Sequence, residues 1–100
     1  MDRLAEIVKR EVFWYAGEGL GVELVPLAND QKQVYAIAVV DAPTPKQPPE
    51  LMIMARVKGD RVIVEADTTD RPLVDALVAA GIPRDKIVLA YAGEPIPEGA

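Results

Sequence analysis

Glu65 and Asp67 stand two residues apart in RVIVEAD, so an extended chain puts them on one face, and Asp70 follows closely. Carboxylates so placed can offer oxygens to a hard cation or divide into a general acid and a general base. Acids on the solvent side of an amphipathic strand have the same spacing, and no second acidic cluster converges on these. Thr44, Thr68 and Thr69 carry hydroxyls, but the chain has no serine and no histidine to activate one. The absence of cysteine removes disulfides, thiolate chemistry and zinc sites that need sulfur. GEGLG, residues 17–21, has the glycines of a phosphate loop in the wrong setting. It leaves a helix and enters a strand, whereas nucleotide fingerprints leave a strand and open a helix. These observations disfavour an enzyme, and no cofactor or metal is expected.

Contact chemistry is better represented. Phe13, Trp14 and Tyr15 are consecutive, so they cannot all face one core from a helix. Tyr15 falls within the apolar stripe and Trp14 at its border. Phe13 lands among Arg3, Glu6, Lys9 and Arg10, where an aromatic side chain suits contact with another chain. A net charge of −5, from 11 basic and 16 acidic side chains with no basic run, opposes direct binding of nucleic acid.

The elements that position these residues fit one domain over residues 1–100. Residues 2–16 read as a helix with Leu4, Ile7, Val8, Val12 and Tyr15 on its apolar side, Asp2 at its start and the Gly17, Gly19, Gly21 cluster ending it. Extended segments follow at 21–28 and 33–41. Pro26 assigns the first to an edge or a bulge, and the second is apolar on both faces. APTPKQPP, residues 42–49, holds four prolines and reads as a solvated loop. Residues 50–67 form a hairpin around Lys58-Gly59-Asp60, its return strand half wet. Thr69 or Asp70 can cap a second helix with Pro72 in its first turn. Gly81 closes it, Ile82 makes the closing contact, and Pro83 forbids continuation. Residues 87–91 make a final strand with no polar face.

The expected architecture is α+β: a small antiparallel-rich sheet of about five strands with two helices packed on one face. Two helices of this length cannot cover both faces, yet strands 33–41 and 87–91 are apolar on each. Self-association as a homodimer is the simplest remedy, with Tyr35, Ile37, Val39, Met52 and Met54 as interface candidates beside Phe13 and Trp14. No apolar run is long enough to span a membrane, and MDRLAEIVKREV lacks the apolar block of a secretory signal, so a cytoplasmic location is expected.

VKGDRVIVEADTTDRPLVDALVAAGIPRDKIVLAY, residues 57–91, resembles the XisI-like family, named for the fdxN element excision controlling factor. The family pattern there is a D-G-K turn, an I-W-I-Q-type strand, a turn ending in Thr-Glu, a helix closing as E-L-V-x-A-G-V/I-P, then K/R-E-D-I-V-L-x-F. Here the pieces stand as Gly59-Asp60-Arg61, Val62 to Glu65, Thr69-Asp70, Ala76 to Pro83 and Arg84 to Tyr91. The N-terminal helix is similar more loosely. Ile63 stands where the family strand has tryptophan, Ala92-Gly93-Glu94 replaces a frequent His-Pro-Pro, and APTPKQPP lengthens a short connection, as in a divergent member. The resemblance implies an α+β fold and homodimerisation. It also implies a regulatory role beside a XisH-like, endonuclease-related partner in the excision of a DNA element in cyanobacteria. An accessory DNA-binding factor and a carboxylate-based metal site or enzyme are the alternatives.

Overall fold

The computed structural model describes residues 3–44 and 46–97. Asp2, read as the start of the first helix, and Pro45 of the proline-rich segment lie outside the described residues. In order the elements are α1 (Arg3–Phe13), β1 (Gly17–Gly19), β2 (Val22–Asn29), β3 (Val34–Asp41), β4 (Glu50–Lys58), β5 (Arg61–Asp67), α2 (Leu73–Ala79) and β6 (Ile87–Leu89), with single 3-10 turns at Arg84–Lys86 and Ala90–Ala92. The six strands form one sheet in chain order, antiparallel except for the parallel pair β5–β6 that α2 connects.

The expected fold class is the one observed, and the details that differ have local causes. A sixth strand appears because Gly17–Gly19 turns back and pairs with Val22–Leu24. Since β1 covers only that part of β2, Pro26 lies beyond it on an open edge, where a missing N–H costs no ladder bond. α1 ends at Phe13 rather than reaching the glycines. β6 is only three residues long, and Ala90–Ala92 leaves the ladder as a 3-10 turn that packs on β5.

Turn chemistry behaves as its residues dictate. Gly59, with φ of 63°, takes the first central position of the two-residue β4–β5 turn. Gly81, with φ of 103°, closes α2: its N–H donates to the Val78 carbonyl at 3.0 Å, and the Ile82 N–H donates to the Leu77 carbonyl at 3.1 Å. That is the Schellman closure, and Ile82 is buried as its hydrophobic contact.

Both helices pack on the same face of the sheet. Ala5, Val8 and Val12 from α1 and Leu73 and Leu77 from α2 meet Tyr35, Ile37, Ile53, Ala55, Val57, Val62, Val64 and Ile87. Each large aliphatic side chain enclosed here contributes about 1.5–3 kcal/mol, and the bulk of Tyr35, Ile37 and Ile53 fills the space between sheet and α1.

The other face is split. The row Arg56–Ile63–Val88 crosses β4, β5 and β6. Ile63 has 0% exposure and Val88 is buried, so β5 is drier than its alternating sequence suggests. Over β2, β3 and β4 the same face is bare. It consists of the rows Leu27–Ala36–Met54 and Val25–Ala38–Leu51.

Candidate interaction surfaces

Two of the three acidic residues first suspected of chemistry, Glu65 and Asp67, are engaged in structural contacts, and Asp70 is exposed. Asp67 ends β5 and accepts three hydrogen bonds: from the Thr69 N–H at 2.9 Å, the Thr69 hydroxyl at 2.6 Å and the Leu73 N–H at 2.7 Å. The last of these serves the first residue of α2, so the cap comes from Asp67 and not from Thr69 or Asp70. Glu65 pairs with the Arg56 guanidinium at 2.6 Å across the β4–β5 ladder. Among the described residues no group of three or more His, Cys, Asp or Glu side chains is arranged to hold a metal ion.

The aromatic cluster at the end of α1 is reorganised relative to the sequence reading. Phe13 is half-buried against the core and lies 5.8 Å from the Lys9 ammonium, so it is not the free aromatic its helical position implied. It faces a groove of about 550 Å³ between α1 and the β2–β3 turn, which Lys9 crosses to reach Asp30 at 3.2 Å. Trp14, just past the helix end, is the exposed one, at 63%. Its ring meets Tyr15 edge-on, with centroids 5.2 Å apart, and carries the Arg71 guanidinium on its face at 4.0 Å.

Arg71 is fixed from several directions. Glu11 lies 3.8 Å from its guanidinium, and its backbone carbonyl accepts from the Tyr15 hydroxyl and lies 2.7 Å from the Thr69 hydroxyl oxygen, whose one proton it shares with Asp67. Its Nη1 is buried with no hydrogen-bond acceptor, a position that the π-face of the adjacent indole makes tolerable. Burial raises the Tyr15 pKa above its ordinary value of 10.0, against the lowering effects of Thr69 and Arg71, so the phenol keeps the proton it donates. Trp14, Tyr15, Leu24, Met52 and residues 68–71 enclose a groove of about 470 Å³ beside this stack.

Of the predicted contact residues, Trp14 and Met52 are therefore brought together, Met52 being half-buried against the core below the indole. Tyr35 and Ile37 correct the prediction: at 2% and 0% exposure they lie under the helices and present nothing to a partner. Val39 shares their face and is half-buried. Met54 alone of the set lies on the bare face. Its companions on that face are Leu27 and Leu51, each 44% exposed; a register shift between Ile37 and Ala38 puts Leu51 opposite Ala38. Arg71 was missed because nothing in its sequence surroundings announces an aromatic neighbour 57 positions earlier.

The tail is held by a device in the stretch that departs from the family pattern. Glu94 accepts from the Leu89 N–H and from the Arg84 guanidinium, each at 2.9 Å, while its own N–H donates to the Leu89 carbonyl at 3.1 Å. The Leu89 N–H, and after it Arg84, lower the Glu94 pKa below its ordinary 4.5.

The chain is a small α+β scaffold, with a groove beside Trp14 and a sheet face over β2, β3 and β4 that no helix covers. The profile of the family described as XisI protein matches residues 5–96, and the chain belongs to that family. The fold agrees with the crystal structure of a XisI-like protein from Anabaena variabilis, at a TM-score of 0.75 and 23% identity over 87% of this chain and 83% of that one. It agrees also with the fdxN element excision controlling factor XisI of Anabaena variabilis, at a TM-score of 0.59 and 17% identity over 88% and 81% of the two chains. Comparison with curated proteins returns no match.

Proposed function

We propose that this protein is a non-enzymatic accessory factor that controls excision of a DNA element by binding a XisH-like, endonuclease-related protein in the cytoplasm. Membership of the XisI family supplies the biological setting. The observation that carries the contact role is Trp14, 63% exposed yet packed between Tyr15 and Arg71 beside a groove lined by both apolar and polar side chains. Trp, Tyr and Arg are the residues most enriched at the energetic centres of protein interfaces, and a ring already packed against its neighbours loses little entropy on docking. The net charge of −5 favours a protein target over a phosphate backbone.

The test is co-expression with the XisH-like protein of the same organism, followed by co-purification and titration. The wild type forms a complex, and Trp14→Ala weakens it by at least about 30-fold, the effect of losing a contact worth roughly 2 kcal/mol. Failure of the wild type to bind overturns the reading. So does a salt-sensitive mobility shift of duplex DNA by this protein alone, which would favour a DNA-binding factor.

A further inference from the structure

We propose that the groove between α1 and the β2–β3 turn is a binding site for an aliphatic diamine, a short apolar chain with an ammonium at each end. It shares no lining residue with the groove beside Trp14, so this goes beyond the XisH-like partnership. Its volume of about 550 Å³ lies within the range of small-molecule sites.

The chain itself displays the chemistry of the occupant. Lys9 lays its four-carbon stem across the groove, and its ammonium ends among three attractive groups. These are the Phe13 ring with its centroid at 5.8 Å, the Tyr35 ring at 6.0 Å, and the Asp30 carboxylate, whose oxygens lie at 3.2 and 3.4 Å. Two aromatic rings and a carboxylate converging on one position hold a cation by the ring quadrupoles and by a charge-assisted hydrogen bond. The ammonium standing there is readily exchanged. The side chains of Lys9 and Asp30 are 38% and 71% exposed, and an ion pair so open to water adds little stability.

The charges call for a second ammonium. Glu6 lines the same groove one helical turn before Lys9 and forms no ion pair among the described residues. Arg10, the other cation on the rim, turns to Glu11 at 3.1 Å. Lys9 is thus one cation facing two carboxylates, Glu6 from the helix and Asp30 from the turn, in a groove whose apolar surface comes from Ala5, Phe13 and Tyr35. A diamine that displaces Lys9 matches the whole set, with an ammonium for each acid and methylenes for the apolar walls. The net charge of −5 attracts such a dication and opposes an anionic ligand.

Calorimetric titration of the full chain at physiological salt tests this with cadaverine, which reproduces the Lys9 stem and adds an ammonium at its other end. Cadaverine binds the wild type at least about tenfold more tightly than pentylamine, which carries one ammonium. Lys9→Met withdraws the internal competitor and tightens cadaverine at least about fivefold, a gain that misfolding cannot imitate. Glu6→Gln reduces cadaverine to the level of pentylamine with an unchanged melting temperature. No binding of millimolar cadaverine by the wild type or by Lys9→Met overturns the proposal. So does weaker binding by Lys9→Met, or a pentanoate ion that binds and is lost with Lys9, which would make the groove an anion site. Trp14→Ala leaves cadaverine binding intact and Lys9→Met leaves the XisH-like complex intact, so the two readings fail separately.

Discussion

Replacing Asp67 decides between a structural carboxylate and a chemical one. In Asp67→Ala three donors lose their acceptor: the Thr69 N–H, the Thr69 hydroxyl and the Leu73 N–H. Thr69 is half-buried and can turn to water, so its two bonds count for little. Leu73 has no exposure, so its N–H is left stranded in the first turn of α2. A lost helix cap costs about 0.5–2 kcal/mol, and a buried donor deprived of a charged acceptor about 1.5–3 kcal/mol, which together place the loss near 2–3 kcal/mol. For a domain of this size about 5 °C of melting temperature accompanies each kcal/mol, so Tm should fall by about 10–15 °C. Asp67→Asn retains one carbonyl acceptor and should lose about half as much. Thermal and urea melts of the three proteins, each with and without millimolar Mg²⁺ or Ca²⁺, measure this. An Asp67→Ala protein within about 0.5 kcal/mol of wild type refutes the cap assignment. A wild-type Tm raised by the cation, with the rise abolished by Asp67→Ala, would instead make the carboxylate a ligand.

Ile37→Ala should cost about 2–5 kcal/mol in urea unfolding, because Ile37 is wholly enclosed under α1; a stable variant with impaired self-association would restore it to the interface. Gly81→Ala meets no atom within 4 Å, so its cost is conformational: at φ of 103° about 1–2 kcal/mol should be lost, and an unchanged midpoint would contradict the Schellman closure. The folded-state pKa of Glu94 lies below 4.5, so its stabilisation is present above that value and vanishes as pH falls through the lowered folded pKa. The Tm gap between wild type and Glu94→Gln should therefore be widest near neutral pH and close in acid, and a gap independent of pH would mean that the Leu89 and Arg84 contacts do not hold the tail.

Punctuation was the most legible part of the fold in the sequence. Gly59, Gly81, Ile82 and Pro83 act locally, through backbone angles that few residues other than glycine adopt and a missing N–H, so their roles follow from type and order alone. The apolar stripe Leu4, Ile7, Val8, Val12 likewise specified a helix with one buried side. The GEG strand was less legible, since three residues with two glycines carry no alternation and pair only because Val22–Leu24 lies within reach.

By itself, then, the sequence determined that β3 is apolar on both faces and that two helices cannot cover both. It could not determine which face α1 takes, because period-two parity separates the faces without ranking them. Tertiary structure decided that by volume. Tyr35, Ile37 and Ile53 fill the gap beneath a helix, whereas Ala36 and Ala38 would leave it hollow, so the large residues went inside and the small-floored face stayed open. The same holds for Trp14 and Arg71, and for Asp67 and Leu73. Each pair is brought together by chain folding, which laid the Arg71 guanidinium on the Trp14 ring and gave the Leu73 N–H its carboxylate acceptor.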